Sequence, residues 1–354
     1  MKYYATKIGT DPEGNPTILK QIEVGIPLAN YWEMRNVCDS TGNTYYSYGA
    51  TICKVPADIE SIDEVVEINV NTALGLSGYE VLGLALDYNH ISNQSEYLYI
   101  LINTLSTATN SRFYKISISD FSLSSDNLHI DLTGDSYSSG VIFFSIDKYN
   151  NIWGARSTVA STSTLGFVID SDTLTVSRFG GDGNWKTGIG IIDQNGTQFI
   201  FNNSTYDSGY NKAIYDSGII TRTWSNGIST SYIIDALTDK DNNIWLIYNP
   251  QNGTTQNKIY KITDLTGTPS LTETINLTKE DLTTPLYYCY NLHTNSDGDI
   301  FFSTYNVIDG YNTYKIAYGT TTIELYIAGL GSKTTGNDPY AFFLSRYGHT
   351  GANI

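Results

Sequence analysis

Along this chain an Asp or Asn repeatedly opens a short polar turn, and six residues later an aromatic side chain opens a run of apolar positions. The pattern reads Asp39 to Tyr45 in DSTGNTYYSYG, Asp147 to Trp153 in DKYNNIWGAR, Asp193 to Phe199 in DQNGTQFIF and Asp239 to Trp245 in DKDNNIWLIY. It recurs from Asn295 to Phe301 in NSDGDIFFS and from Asn337 to Phe343 in NDPYAFFLS, and an enlarged copy starts at Asp87 in DYNHISNQSEYLYILIN. Alternation and turn residues predict a strand on each side of every turn. A third strand follows as Tyr114, Lys115, Ile116, again as Tyr260, Lys261, Ile262, and again as Tyr314, Lys315, Ile316. A fourth is read at Leu271 to Leu277 and at Thr322 to Ile327.

The seven turn positions are separated by 48, 60, 46, 46, 56 and 42 residues, and passing from 337 through the C-terminus back to 39 adds another 56. Chain ends that together make one period predict a closed ring rather than a linear stack. The stretches 3–8 and 17–22 read as the third and fourth strands of a repeat whose earlier strand is supplied by 340–344. The expectation is an all-β, seven-bladed propeller forming one domain over 1–354. Its seventh blade is a composite of about 1–25 and 330–354, so no long sheet edge is left open.

The turn and the strand after it resemble the Asp-x-x-Gly-Asn-Ile-Trp type repeat of NHL-like propellers, which include streptogramin lyase-like and sensor-domain propellers. The resemblance covers nearly the whole chain and implies the fold. Glycine is kept only in some turns (Gly42, Gly196, Gly298). A lyase of that kind implies a His/Glu and metal constellation on one face of the ring. His90, His129, His293 and His349 fall at unrelated positions within their repeats, so the chemistry does not carry over.

Composition agrees with strands and turns: 29 Tyr and 31 Gly accompany abundant Ser, Thr and Asn, and almost no helix is expected. The same residue set builds adaptable recognition surfaces. A net charge of -16 without a basic cluster argues against nucleic-acid binding. No apolar run is long enough to span a bilayer, and the first residues lack the apolar core of a signal peptide. Cys38, Cys53 and Cys289 form no Cys-x-x-Cys pair, so buried thiols are expected, with a Cys38–Cys53 bridge as the alternative if adjacent strands bring the two together.

For chemistry, the Asp-led turns space oxygen donors as calcium loops do, but Pro250 and Asn306 stand where an EF-hand carries its Glu. Structural turns are preferred, no cofactor is expected, and Ca2+ at these turns is the alternative. Trp153, Phe199, Trp245 and Phe301 recur with the period of burial and read as core. If the strand before each turn lines a central channel, its polar members Glu33, Arg35, Asp235 and His293 form a candidate ligand site, with an internal ion network as the structural alternative. Trp32, Trp185 and Trp224 lie outside the core register and are candidate exposed binding aromatics. The arginines are scattered over different strands, which disfavours a sialidase, and nothing singles out a glycosidase carboxylate pair.

The leading functional expectation is a non-enzymatic interaction protein, either a virion structural or decoration protein or a receptor-binding, host-attachment propeller. Its composition is similar to that of phage and archaeal-virus structural proteins. Expected partners are other structural proteins of an assembly, or a surface glycan or receptor, at a virion or extracellular surface. The alternatives are a glycan-acting hydrolase or lyase and an exported lectin-like, carbohydrate-binding propeller.

Overall fold

The computed structural model describes residues 3–13, 15–25, 35–39, 41–87, 95–104, 110–127, 129–133, 141–147, 149–156, 164–170, 172–180, 187–193, 197–202, 210–216, 219–225, 233–248, 256–263, 265, 270–278, 285–286, 289–294, 297–306 and 310–327. Strands β1 (Tyr3–Thr10) and β2 (Pro16–Gly25) pair as an antiparallel hairpin. Six four-stranded antiparallel sheets follow, each paired in chain order. The first sheet is β3 (Arg35–Cys38), β4 (Thr44–Tyr48), β5 (Thr51–Val55) and β6 (Val66–Asn69). The second is β7 (Tyr79–Leu86), β8 (Tyr97–Thr104), β9 (Asn110–Ser117) and β10 (His129–Thr133). The third is β11 (Val141–Ile146), β12 (Ile152–Arg156), β13 (Thr164–Ile169) and β14 (Val176–Gly180). The fourth is β15 (Thr187–Ile192), β16 (Thr197–Asn202), β17 (Tyr210–Asp216) and β18 (Ile219–Ser225). The fifth is β19 (Ile233–Thr238), β20 (Ile244–Tyr248), β21 (Lys258–Thr263) and β22 (Ser270–Asn276). The sixth is β23 (Cys289–Thr294), β24 (Ile300–Asn306), β25 (Gly310–Ile316) and β26 (Ile323–Ile327).

The first strands stand side by side in chain order, β3 beside β7, β7 beside β11, and so on to β19 beside β23. They form the inner row, and the fourth strands form the rim. Five of the six inner strands carry a register shift against their neighbour at a matching place, for example between Val81 and Gly83 and between Ile233 and Asp235. Bulges of this kind bend a strand and raise its local twist. Strand β2 of the hairpin contacts β26 and the 3-10 turn Ile62–Glu64. The C-terminal stretch 340–344 lies outside the described residues.

Neighbouring sheets bury both faces of their second strands, which is why those strands read as nearly unbroken apolar runs. In β8, Leu98, Ile100 and Ile102 pack with Tyr45 and Ile52 of the first sheet, whereas Tyr99 and Leu101 pack with Ile152 and Phe167 of the third. Among the described residues one α-helix forms, α1 (Val70–Leu74), capped by the Asn69 side chain and ended by Gly75 at φ 63. Cys53 is a fully buried thiol outside any disulfide. Its strand is not adjacent to that of Cys38, because β4 lies between β3 and β5. Two strand spacings amount to about 9.6 Å, beyond the roughly 7 Å between Cα atoms that a disulfide tolerates.

Candidate functional site

The polar groups recurring in every sheet gather in the turn between its first and second strands. In the first sheet Asp39 Oδ1 accepts the backbone N–H of Thr41 (2.9 Å) and Asn43 (3.0 Å), while Oδ2 accepts Asn43 Nδ2 (2.9 Å) and the Tyr45 hydroxyl (3.0 Å). In the third sheet Asp147 Oδ1 takes the N–H of Tyr149 and Asn151, and its Oδ2 takes Asn151 Nδ2 and Trp153 Nε1 at 3.0 Å. Asp239 in the fifth sheet repeats the arrangement with Asp241, Asn243 and Trp245, whose Nε1 lies 2.7 Å from Oδ2. Where it is described, the fourth residue of the turn has positive φ: Gly42 (90°), Asn150 (63°), Asn242 (63°) and Gly298 (87°). Asn tolerates this left-handed conformation nearly as well as Gly, so the motif survives without its glycine.

These turn carboxylates are buried, and burial raises the protonation point of Asp147 and Asp87 above the ordinary 3.8 despite the N–H donors that oppose it. The aromatic that opens the second strand is buried in every case described: Tyr45, Trp153, Phe199, Trp245 and Phe301 stand six residues after the Asp or Asn, and Tyr99, after the enlarged turn, stands twelve residues after Asp87. In five sheets a lysine of the third strand stands directly across from it: Lys54, Lys115, Lys212, Lys261 and Lys315, with Val168 in the third sheet. Lys261 Nζ sits 4.9 Å from the Trp245 ring centroid. Lys54 and Lys212 reach onward to the next sheet, donating to the carbonyls of Ile118 (3.0 Å) and Leu265 (2.7 Å). Tyr215 donates to Asp170 of the third sheet, and Lys240 donates to the Asp297 carbonyl of the sixth. Tyr318 completes that last junction by donating to Asp241 Oδ2 at 2.7 Å under the Lys240 ammonium, 3.6 Å from its ring. These contacts bring the turn-bearing ends of neighbouring sheets together.

Of the residues singled out from sequence, Asp235 has a described side chain. It is half-buried and bonded to backbone: its Oδ1 accepts the N–H of Ala236 (2.9 Å) and its Oδ2 the N–H of Leu292 (2.7 Å) on the neighbouring inner strand β23. Arg35 and His293 lie on inner strands β3 and β23, and Trp224 lies on the rim strand β18. Glu33, Trp32 and Trp185 are outside the described residues. Among the described residues no group of three or more His, Cys, Asp or Glu side chains converges. A second cluster joins Tyr46, Tyr48, Cys53 and Glu67: the Tyr48 hydroxyl donates to Glu67 Oε1 (3.3 Å), and burial pushes the Cys53 thiol up to about 12. Sequence reading did not find it, since its members are near neighbours only through the β4–β5–β6 register.

No family model matches the chain, and no curated protein matches it in sequence. Solved structures do. A streptogramin B lyase matches with a TM-score of 0.57 at 12% identity, over 93% of this chain and 88% of that one. A 6-phosphogluconolactonase-like protein from Bacteroides uniformis gives 0.59 at 11%, over 90% of each chain. A chain of the mitotic checkpoint complex gives 0.59 at 10%, over 92% of this chain and 87% of that one. At these identities the likeness concerns the fold: the chain is an all-β protein resembling streptogramin lyase-like propellers.

Proposed function

We propose that this chain is a non-enzymatic interaction protein, a seven-bladed propeller working as a virion structural or decoration component or in host attachment. The observation that carries the reading is the use made of its acids. Asp39, Asp147 and Asp239 each turn both carboxylate oxygens onto protein donors, and Asp235 ties two inner strands together. The carboxylates that recur are thus spent on architecture, and what repeats around the ring is scaffold. The viral setting rests on composition, rich in Tyr, Ser, Thr and Asn and poor in Lys, with a net charge of -16. Partners in this reading are the structural proteins of an assembly or a surface receptor, at a virion or extracellular surface, and no cofactor is needed.

The seventh blade belongs to the same proposal. In it, the β1–β2 hairpin stands between the sixth and first sheets, a placement supported by the contacts of β2 with β26 and with the turn Ile62–Glu64, and the rest of the composite blade is assigned to the sequence 330–354. Closure of this kind leaves no rim or inner strand without a neighbour.

Fractionating the native source and imaging the fraction that holds the protein tests the functional reading. Stoichiometric recovery with virus-like particles or another large assembly supports it. Recovery as a free monomer overturns it, and a glycan array followed by a turnover assay then separates a lectin from a glycan-acting enzyme. That second reading draws on Arg35 and Asp235, which stand at matching places on β3 and β19, four residues before their turn aspartates.

A further inference from the structure

We propose that the turn-bearing face of the ring docks a positively charged protein surface studded with apolar side chains, an inference that rests on the interaction reading above and names its partner's chemistry. In an antiparallel sheet of four consecutive strands, the first-to-second and third-to-fourth connections lie at one end, and the contacts between sheets gather those ends into a single face. That face exposes apolar and aromatic side chains. Ile219 is 69% and Tyr149 64% exposed, and Ile62, Leu271 and Tyr318 are also exposed there. Side chains of this size gain by burial against another apolar surface.

The same connections carry carboxylates. Asp58, Asp120, Asp172, Asp216, Asp241 and Asp297 are exposed in the same set of connections. The segments linking second to third strands carry less charge: 105–109, 157–163 and 249–255 contain no Asp, Glu, Lys or Arg, and 203–209 and 307–309 contain one Asp each. The charge of -16 is therefore concentrated toward the turn end. Within a Debye length of about 8 Å such a field attracts basic partners and repels nucleic acid or a second acidic copy of this chain. Charge alone would equally suit small cations, but those gain nothing from exposed isoleucine and leucine. A basic protein surface with an apolar core satisfies both halves.

The test titrates the full chain with a synthetic peptide alternating Lys and Leu, and with its Glu/Leu counterpart, by fluorescence anisotropy at low and high salt. Docking as proposed gives binding of the Lys/Leu peptide alone, weakened at least tenfold by the pair Asp172→Lys and Asp241→Lys. The pair Asp135→Lys and Asp207→Lys, in the segments that join β10 to β11 and β16 to β17, leaves it unchanged, and Ile219→Ser with Leu271→Ser weakens it at least threefold. Equal loss from both charge reversals, no loss on removing the apolar side chains, or binding of the Glu/Leu peptide overturns the proposal. If a variant melts early, carbodiimide labelling of the wild-type chain replaces it: the peptide should protect Asp58 and Asp120 and not Asp135 and Asp207, and the reverse overturns the assignment. Failure here leaves recovery with an assembly untouched, whereas a free native monomer that still binds the peptide at this face removes the assembly reading alone.

Discussion

The indole Nε1 of Trp245 donates to Oδ2 of Asp239 over 2.7 Å, six residues back in the chain, with both side chains buried. The bond joins the turn to the first residues of the second strand, so one carboxylate shapes the connection and fixes the largest core side chain beside it. Replacing Asp239 with Ala leaves the indole N–H and the Asn243 N–H without their acceptor. Each buried orphan costs about 1–3 kcal/mol. At about 2–4 °C per kcal/mol, a loss of roughly 5–15 °C in melting temperature is expected. Asp241→Ala, which removes only an exposed acceptor of Tyr318, should change melting by about 2 °C or less. Calorimetry of both variants checks the contrast, and equal losses would show that the Asp239 bond is not special.

Much of this motif was readable in advance, because it is local. Asp39, Asp147 and Asp239 carry their partners two, four and six residues on, so the repeat spelled out turn and core together. The burial of Trp153 and Trp245 followed from their period. Position four of the turn was legible as Gly42 and Gly298 but less so as Asn150 and Asn242, since two residue types satisfy one backbone conformation. Asp235 was singled out from polarity and read as a channel ligand or part of an ion network, yet its described partners are backbone N–H groups. Its contact with Leu292 spans 57 residues and depends on how two bulged strands lie together, and no spacing in the sequence encodes that. The same holds for Cys38 and Cys53: fifteen positions apart, they looked bridgeable until a strand was found between them.

For Asp235 the hydrogen bonds yield a direct comparison. Asp235→Asn keeps an acceptor for the Leu292 N–H and should cost about 1 kcal/mol or less, whereas Asp235→Ala orphans it and should cost about 1–3 kcal/mol. Chemical denaturation gives both values. Should Asn and Ala be equally harmless, the tie between β19 and β23 contributes nothing and the residue becomes available again as a ligand group.

The buried turn carboxylates make stability depend on pH with a defined sign. Burial raises Asp147 above its ordinary 3.8, so the folded protein holds this proton more tightly than the unfolded chain. Its contribution is therefore fully present below pH 3.8 and is lost as the pH rises through the higher folded value. Asp87 has the same sign. The stability of wild type relative to Asp147→Asn should grow as the pH falls from 7 toward 4.5, followed as the difference between two denaturation curves. A difference independent of pH would mean that the N–H donors outweigh burial.

Thiol chemistry reports on the core. Burial pushes Cys53 and Cys289 up to about 12, and both side chains are inaccessible in the folded chain. At pH 8 less than about one part in a thousand of either is thiolate, so a disulfide reagent should modify them only as fast as the protein opens. Labelling followed by peptide mass mapping, with and without denaturant, measures this. Rapid native labelling of Cys53 would place it in a site that opens far more often than the rest of its sheet.

In the proposed ring the hairpin at the start of the chain carries the closure. β1 and β2 pair with each other, and β2 contacts β26 of the sixth sheet and the turn Ile62–Glu64 of the first. Deleting residues 1–24 removes these contacts and, in the proposed closure, bares the facing flanks of the sixth and first sheets. Exposed flanks and sheet edges pair with further copies of the chain. The truncated protein should therefore oligomerise or melt at least about 10 °C lower than the full chain, read by light scattering and calorimetry. A truncated form that stays monomeric with unchanged melting would mean that six sheets close on themselves and that the hairpin is an appendage, which would remove the shared seventh blade.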